Sequence, residues 1–145
     1  MITALQRRTL AAVVGRILPS DGSPGAAEAG VPEVCEETIM DDFFQVVRPH
    51  VLHGLDGLQA AARERFGRDF PDCSPGEQDE LLRAVDQARD WRSRLFLNVL
   101  VHQTLEGFLG DPVHGGNRDG LGWRAIGYEA GRVRSGMCAG AGDRE

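Results

Sequence analysis

The chain has no lysine; all sixteen of its basic residues are arginine. Its net charge is −6, and no basic stripe rises above that acidic background. A nucleic-acid-binding module needs such a stripe to release counterions from phosphates, so this class is excluded. Arginine forks also suit carboxylate partners at an interface better than ammonium groups do.

Cysteine is scarce. Cys35, Cys73 and Cys138 stand alone, without a CxxC pair, and three thiols cannot all pair within one chain. That pattern argues against a structural zinc site and against a disulfide framework. Aromatic residues make up only 6% of the chain, so its core has to rest on Leu, Val, Ile and Ala with a few Phe anchors. No apolar run reaches the length of a membrane span. Arg7-Arg8 invites a twin-arginine reading. The stretch after it, Thr9 to Leu18, is short, is interrupted by Arg16, and lacks a small-residue cleavage site. On these grounds a cytoplasmic protein without membrane insertion is expected, or a periplasmic one if a twin-arginine leader was removed or is supplied by another chain. There is no internal repeat.

What is present is helical periodicity. Thr3-Ala-Leu-Gln6 reads as a capping box, followed by Leu10, Val13, Val14, Ile17 and Leu18 on one face. Pro19 ends that helix. Residues 20–30 are a Gly/Pro/Ser loop. Pro32 opens a second helix with Glu33, Glu36 and Glu37 near the positive end of its dipole. Cys35, Ile39, Phe43 and Val46 are expected to share its buried face, up to a break or kink at Pro49. A third segment places Val51, Leu55, Leu58, Ala62 and Phe66 on one face and ends near Gly67, with Gly54 and Gly57 as local weaknesses. Asp69 to Cys73 reads as a connector. Ser74-Pro-Gly-Glu77 is a second capping box, followed by Leu81, Leu82 and Val85. Leu95 to Val101 is apolar nearly all round, which predicts a buried central helix continuing through Leu105 and Phe108. A buried strand competes for that run, but no turn signal interrupts it. From Gly107 the composition shifts to Gly, Asp, Pro, Asn and Arg, then Trp123, Ile126 and Tyr128. The expected fold is all-α: one small bundle over residues 1–130 with a long ordered C-terminal loop, then a disordered tail over 131–145.

Three constellations are candidates for chemistry. His50 and His53 lie one turn apart beside Pro49, without a third ligand at a familiar spacing; solvated or capping histidines are the simpler reading. His102 and Glu106, four apart on the central helix, could form a dyad, but no nucleophile accompanies them. A structural pair is preferred, with Glu106 accepting N–H bonds from the loop that follows. The third is Gly110-Asp-Pro-Val-His-Gly-Gly-Asn117-Arg-Asp-Gly-Leu-Gly-Trp123. It is neither a Walker loop nor a dinucleotide fingerprint, and Asp111, Asn117 and Asp119 lack EF-hand spacing. A loop of this length needs something to order it.

The run from Asp111 to Tyr128 resembles the signature of the gluconate 2-dehydrogenase subunit 3 family. Ile17-Leu-Pro19-Ser-Asp21, Pro24-Gly-Ala26, Ala29-Gly-Val-Pro32 and Thr104-Leu-Glu106-Gly107-Phe108 add matches in the same order. The resemblance implies a non-catalytic small subunit of an FAD-dependent sugar or polyol dehydrogenase. In that picture a large subunit of the glucose-methanol-choline type binds FAD and carries the chemistry. The small subunit helps it fold, stabilises it and often brings a twin-arginine leader, and a cytochrome subunit commonly completes the complex. This sequence departs from the pattern in showing no leader and in having His114 where an aromatic, commonly Tyr, is usual. A leaderless member suggests a cytoplasmic complex, one that would act on a glycoside inside the cell.

The chain itself is then expected to bind neither cofactor nor metal. Its partner contacts would be Pro24, Gly25, Asp111, Pro112, His114, Gly115, Gly116, Asn117, Arg118, Asp119, Trp123 and Tyr128. Trp123 and Tyr128 serve as anchors, Gly115 and Gly116 permit close approach, and Asn117, Arg118 and Asp119 serve the polar rim. The alternative is a free-standing enzyme or metal-binding module built on His102, Glu106, His114 and Asp119.

Overall fold

The computed structural model describes residues 1–129, and these hold helices and no strand. The expected tail, 131–145, lies outside the described residues. Helix α1 spans Ala4–Ile17, α2 Val31–Met40, α3 Arg48–Phe66, α4 Pro75–Asp86, α5 Trp91–Leu109 and α6 Leu121–Ala125.

Both capping boxes form. The Thr3 hydroxyl accepts from the Gln6 amide at 3.1 Å while Gln6 Oε1 accepts from the Thr3 amide at 3.0 Å. Ser74 and Glu77 repeat the exchange at the head of α4. Each box satisfies two donors that a helix start otherwise strands.

Ring and side-chain pairings fix the directions. Gln6 and Thr9 meet Asp56 and Gln59 in that order, His50 meets Trp91, and Gly54 faces Phe96, so α1, α3 and α5 run parallel. Gly107 near the end of α5 lies against Val31 at the start of α2, so α2 runs the other way. α4 returns antiparallel to α3, and Arg65 near the end of α3 pairs with Glu80. The core is Leu10, Val13, Val14, Val31, Cys35, Ile39, Val51, Leu55, Leu58, Ala62, Phe70, Phe96 and Leu100. Each large side chain buried this way contributes roughly 1.5–3 kcal/mol of transfer free energy.

Four features depart from the sequence expectation. Phe43 and Val46 are 88% and 76% exposed, not on a buried face with Cys35 and Ile39. The reason is local: α2 stops at Met40, and Asp41 caps a short 3₁₀ turn, Asp42–Phe44, by accepting from the Phe43 amide at 2.8 Å. Arg48 then covers the end of α2, donating to the Ile39, Met40 and Asp41 carbonyls at 3.0, 2.7 and 2.7 Å. The helical period is reset at Asp41, so the following apolar residues turn outward.

Second, Pro49 lies in the first turn of α3 and breaks nothing, because its missing N–H would have no partner there anyway. Third, Gly54 is a packing requirement and not a weakness, since a Cβ there would stand 2.3 Å from the Phe96 ring. Phe70, in the stretch read as a connector, is fully buried as well. Its amide donates to Gln59 Oε1 at 3.1 Å and its carbonyl accepts from Gln78 Nε2 at 2.9 Å.

Fourth, α5 is not buried all round. Phe96, Leu100, Gln103, Thr104, Gly107 and Phe108 face the core, while His102, Leu105, Glu106 and Leu109 form an outer face. Arg7 and Arg8, the twin-arginine pair, sit inside α1 and bind Glu36 of α2 and Asp72 at 2.6 and 2.7 Å.

Candidate functional site

The end of α5 sets the geometry of the loop that follows. A helix leaves its last carbonyls without intrahelical donors, and each one kept from water costs free energy. The segment after α5 folds back over that end and supplies what is missing. The Gly110 amide donates to the Glu106 carbonyl at 2.8 Å. The Trp123 indole N–H donates to the Leu109 carbonyl at 2.7 Å, and Asn117 Nδ2 donates to the Gly110 carbonyl at 2.8 Å.

Asn117 is the centre of this arrangement. It is completely buried. Its Oδ1 accepts from the Gly122 amide at 2.7 Å and more weakly from the Trp123 amide at 3.4 Å, which anchors the first turn of α6. Its backbone is left-handed, φ 48°, as is that of Asp119, φ 56°. Asn and Asp tolerate that region better than other residues with a side chain.

Two glycines let the loop approach. A Cβ at Gly116 would lie 2.2 Å from the Gly107 carbonyl oxygen, and one at Gly122 would lie 1.7 Å from that of Phe108. Neither distance is compatible with a side chain. Short 3₁₀ turns at Pro112–His114 and Arg118–Gly120 complete the path. Asp111 caps the first by accepting from the Val113 amide at 3.0 Å, and Arg124 donates to the Asp119 carbonyl across the second. The Trp123 and Tyr128 rings meet edge-to-face, centroids 5.2 Å apart.

The 20–30 segment joins this end of the bundle. The Arg118 amide donates to the Ala29 carbonyl at 3.0 Å, and its guanidinium lies over Gly30. Gly25 is buried against the Leu18 carbonyl, where a Cβ would stand 2.5 Å away. Glu28 accepts from the Gly25 amide at 3.0 Å. The Ser20 hydroxyl, donating to the same carboxylate, holds its pKa below the ordinary carboxylate range. The two segments singled out in the sequence are thus neighbours in space.

The proposed contact residues divide by exposure. Pro24, Asp111, His114, Gly115, Arg118, Asp119 and Tyr128 reach solvent, Pro112 and Trp123 are partly covered, and Gly25, Gly116 and Asn117 are buried. Asn117 therefore belongs to no rim: its carboxamide is consumed inside the chain. Glu106 departs as well. Its carboxylate accepts from Gln103 Nε2 at 3.0 Å, and it is its backbone carbonyl, not its side chain, that receives the loop amide.

Sequence reasoning missed four apolar residues around the loop: Val113 at 78% exposure, Ile126 at 62%, and Leu105 and Leu109 on the outer face of α5. The i, i+4 spacing of the two leucines was the available signal.

The alternative constellation does not assemble. His102 and Glu106 are both exposed, and among the described residues no group of three His, Cys, Asp or Glu converges as a metal site. His50 packs edge-on against Trp91 at 5.3 Å. Cys35 is buried, and loss of solvation pushes its thiol up to about 12, far from a reactive thiolate. No helix among the described residues is long and apolar enough to cross a membrane.

What these observations define is a helical module whose most distinctive loop serves structure and presents a surface, with no group of three His, Cys, Asp or Glu placed to hold a metal among the described residues. The model of the family described as gluconate 2-dehydrogenase subunit 3 matches residues 4–131, and the chain belongs to that family. Comparison with the curated proteins and with the solved structures finds no match.

Proposed function

We propose that this chain is a non-catalytic accessory subunit. It binds and stabilises an FAD-dependent large subunit of the glucose-methanol-choline type that oxidises a sugar, polyol or glycoside. FAD and the reacting groups belong to the partner. The observation that carries the reading is the family's description as a dehydrogenase subunit, over nearly the whole chain.

The form of the loop supports it. Val113, Ile126 and Tyr128 stand exposed on a segment fixed by internal hydrogen bonds, beside Leu105 and Leu109. Rigid apolar groups lose little freedom on binding, so this is the economical way to build an anchor. His114, Arg118 and Asp119 supply polar and charged groups around it.

Co-expression with a large subunit of this type from the same genome tests the reading. Co-purification, with flavin loading of the large subunit dependent on this chain, is expected. A large subunit that is soluble, flavin-loaded and fully active alone, and that does not co-purify, refutes it. Ile126→Asp and Tyr128→Ala should each weaken capture by more than about 1 kcal/mol, while Phe43→Ser, in the exposed turn after α2, should not.

A further inference from the structure

A second feature lies away from the loop. Between α3, α4 and α5 there is a groove of about 490 Å³. Its floor is Leu58, Leu81 and Phe96. Its walls are small: Gly54, Gly57 and Ala61 from α3, Ala84 from α4 and Ala88 from the link that follows α4. A bundle that closed on itself would fill this space with larger side chains, because interiors pack to near-crystalline density. Here the sequence leaves the space open, at a volume typical of small-molecule sites, roughly 300–1,000 Å³.

The mouth is polar and mostly basic. His50, His53 and Arg92 line it. Arg92 sits over the face of Trp91, 5.5 Å from guanidinium carbon to ring centroid, and takes part in none of the ion pairs of the described residues. Asp90 is the one carboxylate among the lining residues, and it is turned onto its own helix start, accepting from the Ser93 amide at 2.9 Å. The groove thus joins an apolar floor to a rim whose guanidinium stacks on Trp91 and forms none of those ion pairs.

We infer that the groove between α3, α4 and α5 binds a small amphiphile: an apolar chain or ring bearing one carboxylate. The apolar part lies on Leu58, Leu81 and Phe96, and the head meets Arg92 and the histidines. This site is independent of the docking reading above.

Titration of the full chain with sodium dodecanoate by calorimetry tests it, with 1-dodecanol and dodecyltrimethylammonium as neutral and cationic matches. Saturable binding of one dodecanoate per chain is expected, roughly tenfold or more tighter than either match, given the strength of charge-assisted contacts. Gly57→Leu should abolish it. A Cβ at Gly57 meets nothing within 4 Å, so a side chain can start there without a clash, and the thermal midpoint of the variant should hold or rise. Ala84→Leu fills the opposite wall as a second check. Arg92→Gln should weaken dodecanoate at least fivefold or so and leave dodecanol unchanged. Four results overturn the inference: no binding of dodecanoate, non-saturable uptake, equal affinity for dodecanol, or binding that survives both filling variants. If the filling variants release a co-expressed large subunit and dodecanoate does not bind, the groove is a protein-docking surface and the inference fails, with the accessory-subunit reading left standing.

Discussion

Replacing Asn117 with alanine removes the residue on which the C-terminal loop is organised. The carboxamide bridges the Gly110 carbonyl and the Gly122 amide at 2.8 and 2.7 Å from a site with no solvent exposure. Alanine leaves the buried Gly122 N–H without an acceptor, at a cost of about 2–3 kcal/mol, and the half-covered Gly110 carbonyl without a donor, at about 1 kcal/mol. It also holds a left-handed backbone that asparagine tolerates better, for about 1 kcal/mol more. The sum, about 4–5 kcal/mol, is a large part of the 5–15 kcal/mol typical of a domain, so the loop should detach before the bundle melts. Trypsin cleavage after Arg118 and Arg124 reads loop detachment, and urea unfolding followed by tryptophan fluorescence reads the total. Cleavage at both sites is expected to accelerate by at least two orders of magnitude or so, with far-ultraviolet circular dichroism nearly unchanged. Asn117→Gly should be about 1 kcal/mol milder than Asn117→Ala, because it removes the backbone strain and not the missing hydrogen bonds. An alanine variant within about 0.5 kcal/mol of the parent, with the parent's cleavage rate, would refute the reasoning, since that is the range of an unremarkable surface site.

Gly122→Ala and Gly116→Ala should each destabilise by about 1–3 kcal/mol or more, seen as lower urea midpoints, because the new methyl groups meet the Phe108 and Gly107 carbonyls. Trp123→Phe keeps the ring but loses the indole N–H to the Leu109 carbonyl, so about 1 kcal/mol is expected in the same assay. Stability should fall in acid. Hydrogen bonding to Arg16 holds the Asp79 carboxyl below the ordinary range, with Asp69 lowered by Arg63 and Asp90 by the Ser93 amide. Groups whose folded pKa is depressed contribute fully above their unfolded value, near pH 4, and lose that contribution as pH drops through the folded value. Asp79→Asn should flatten that part of the pH profile of the urea midpoint. Cys35 should resist a thiol reagent in the native protein and react only on unfolding, as its raised pKa and burial require; rapid native labelling would contradict the fold around it.

Much of the bundle was legible because its signals are local. The capping boxes at Thr3 and Ser74 and the apolar faces of α1 and α3 depend on residues within one or two turns of each other, and each formed where the pattern placed it. What was not legible depends on contacts between distant parts of the chain. Nothing local marks Gly54 as the seat of Phe96, or Phe70 as a core residue clamped by Gln59 and Gln78. Phe43 and Val46 continued a helical period on paper, but Asp41 and Arg48 had already ended the helix. The candidate site divides in the same way. The Gly-Gly-Asn and Gly-Trp pattern pointed to the loop, while which of its residues face inward depends on where the end of α5 lies.

That inward set changes what the signature means. Gly116, Asn117, Gly122 and Trp123 each answer a requirement set by one helix end: two close approaches, a pair of backbone partners, and a donor for the Leu109 carbonyl. None of these requirements depends on a partner. A residue pattern dictated by self-capping would therefore persist in chains that dock on quite different surfaces, and it marks the scaffold more than the specificity. On the accessory-subunit reading proposed above, choice of partner would reside in groups the scaffold holds outward, such as Val113, His114, Arg118, Ile126 and Tyr128. His114 becomes informative on this view. It is exposed, on a turn capped by Asp111, and Gly115 beside it has φ 104°. Exchanging His114 for tyrosine should leave the urea midpoint within about 0.5 kcal/mol while altering affinity for the partner. A change in stability with unaltered affinity would place His114 with the scaffold instead.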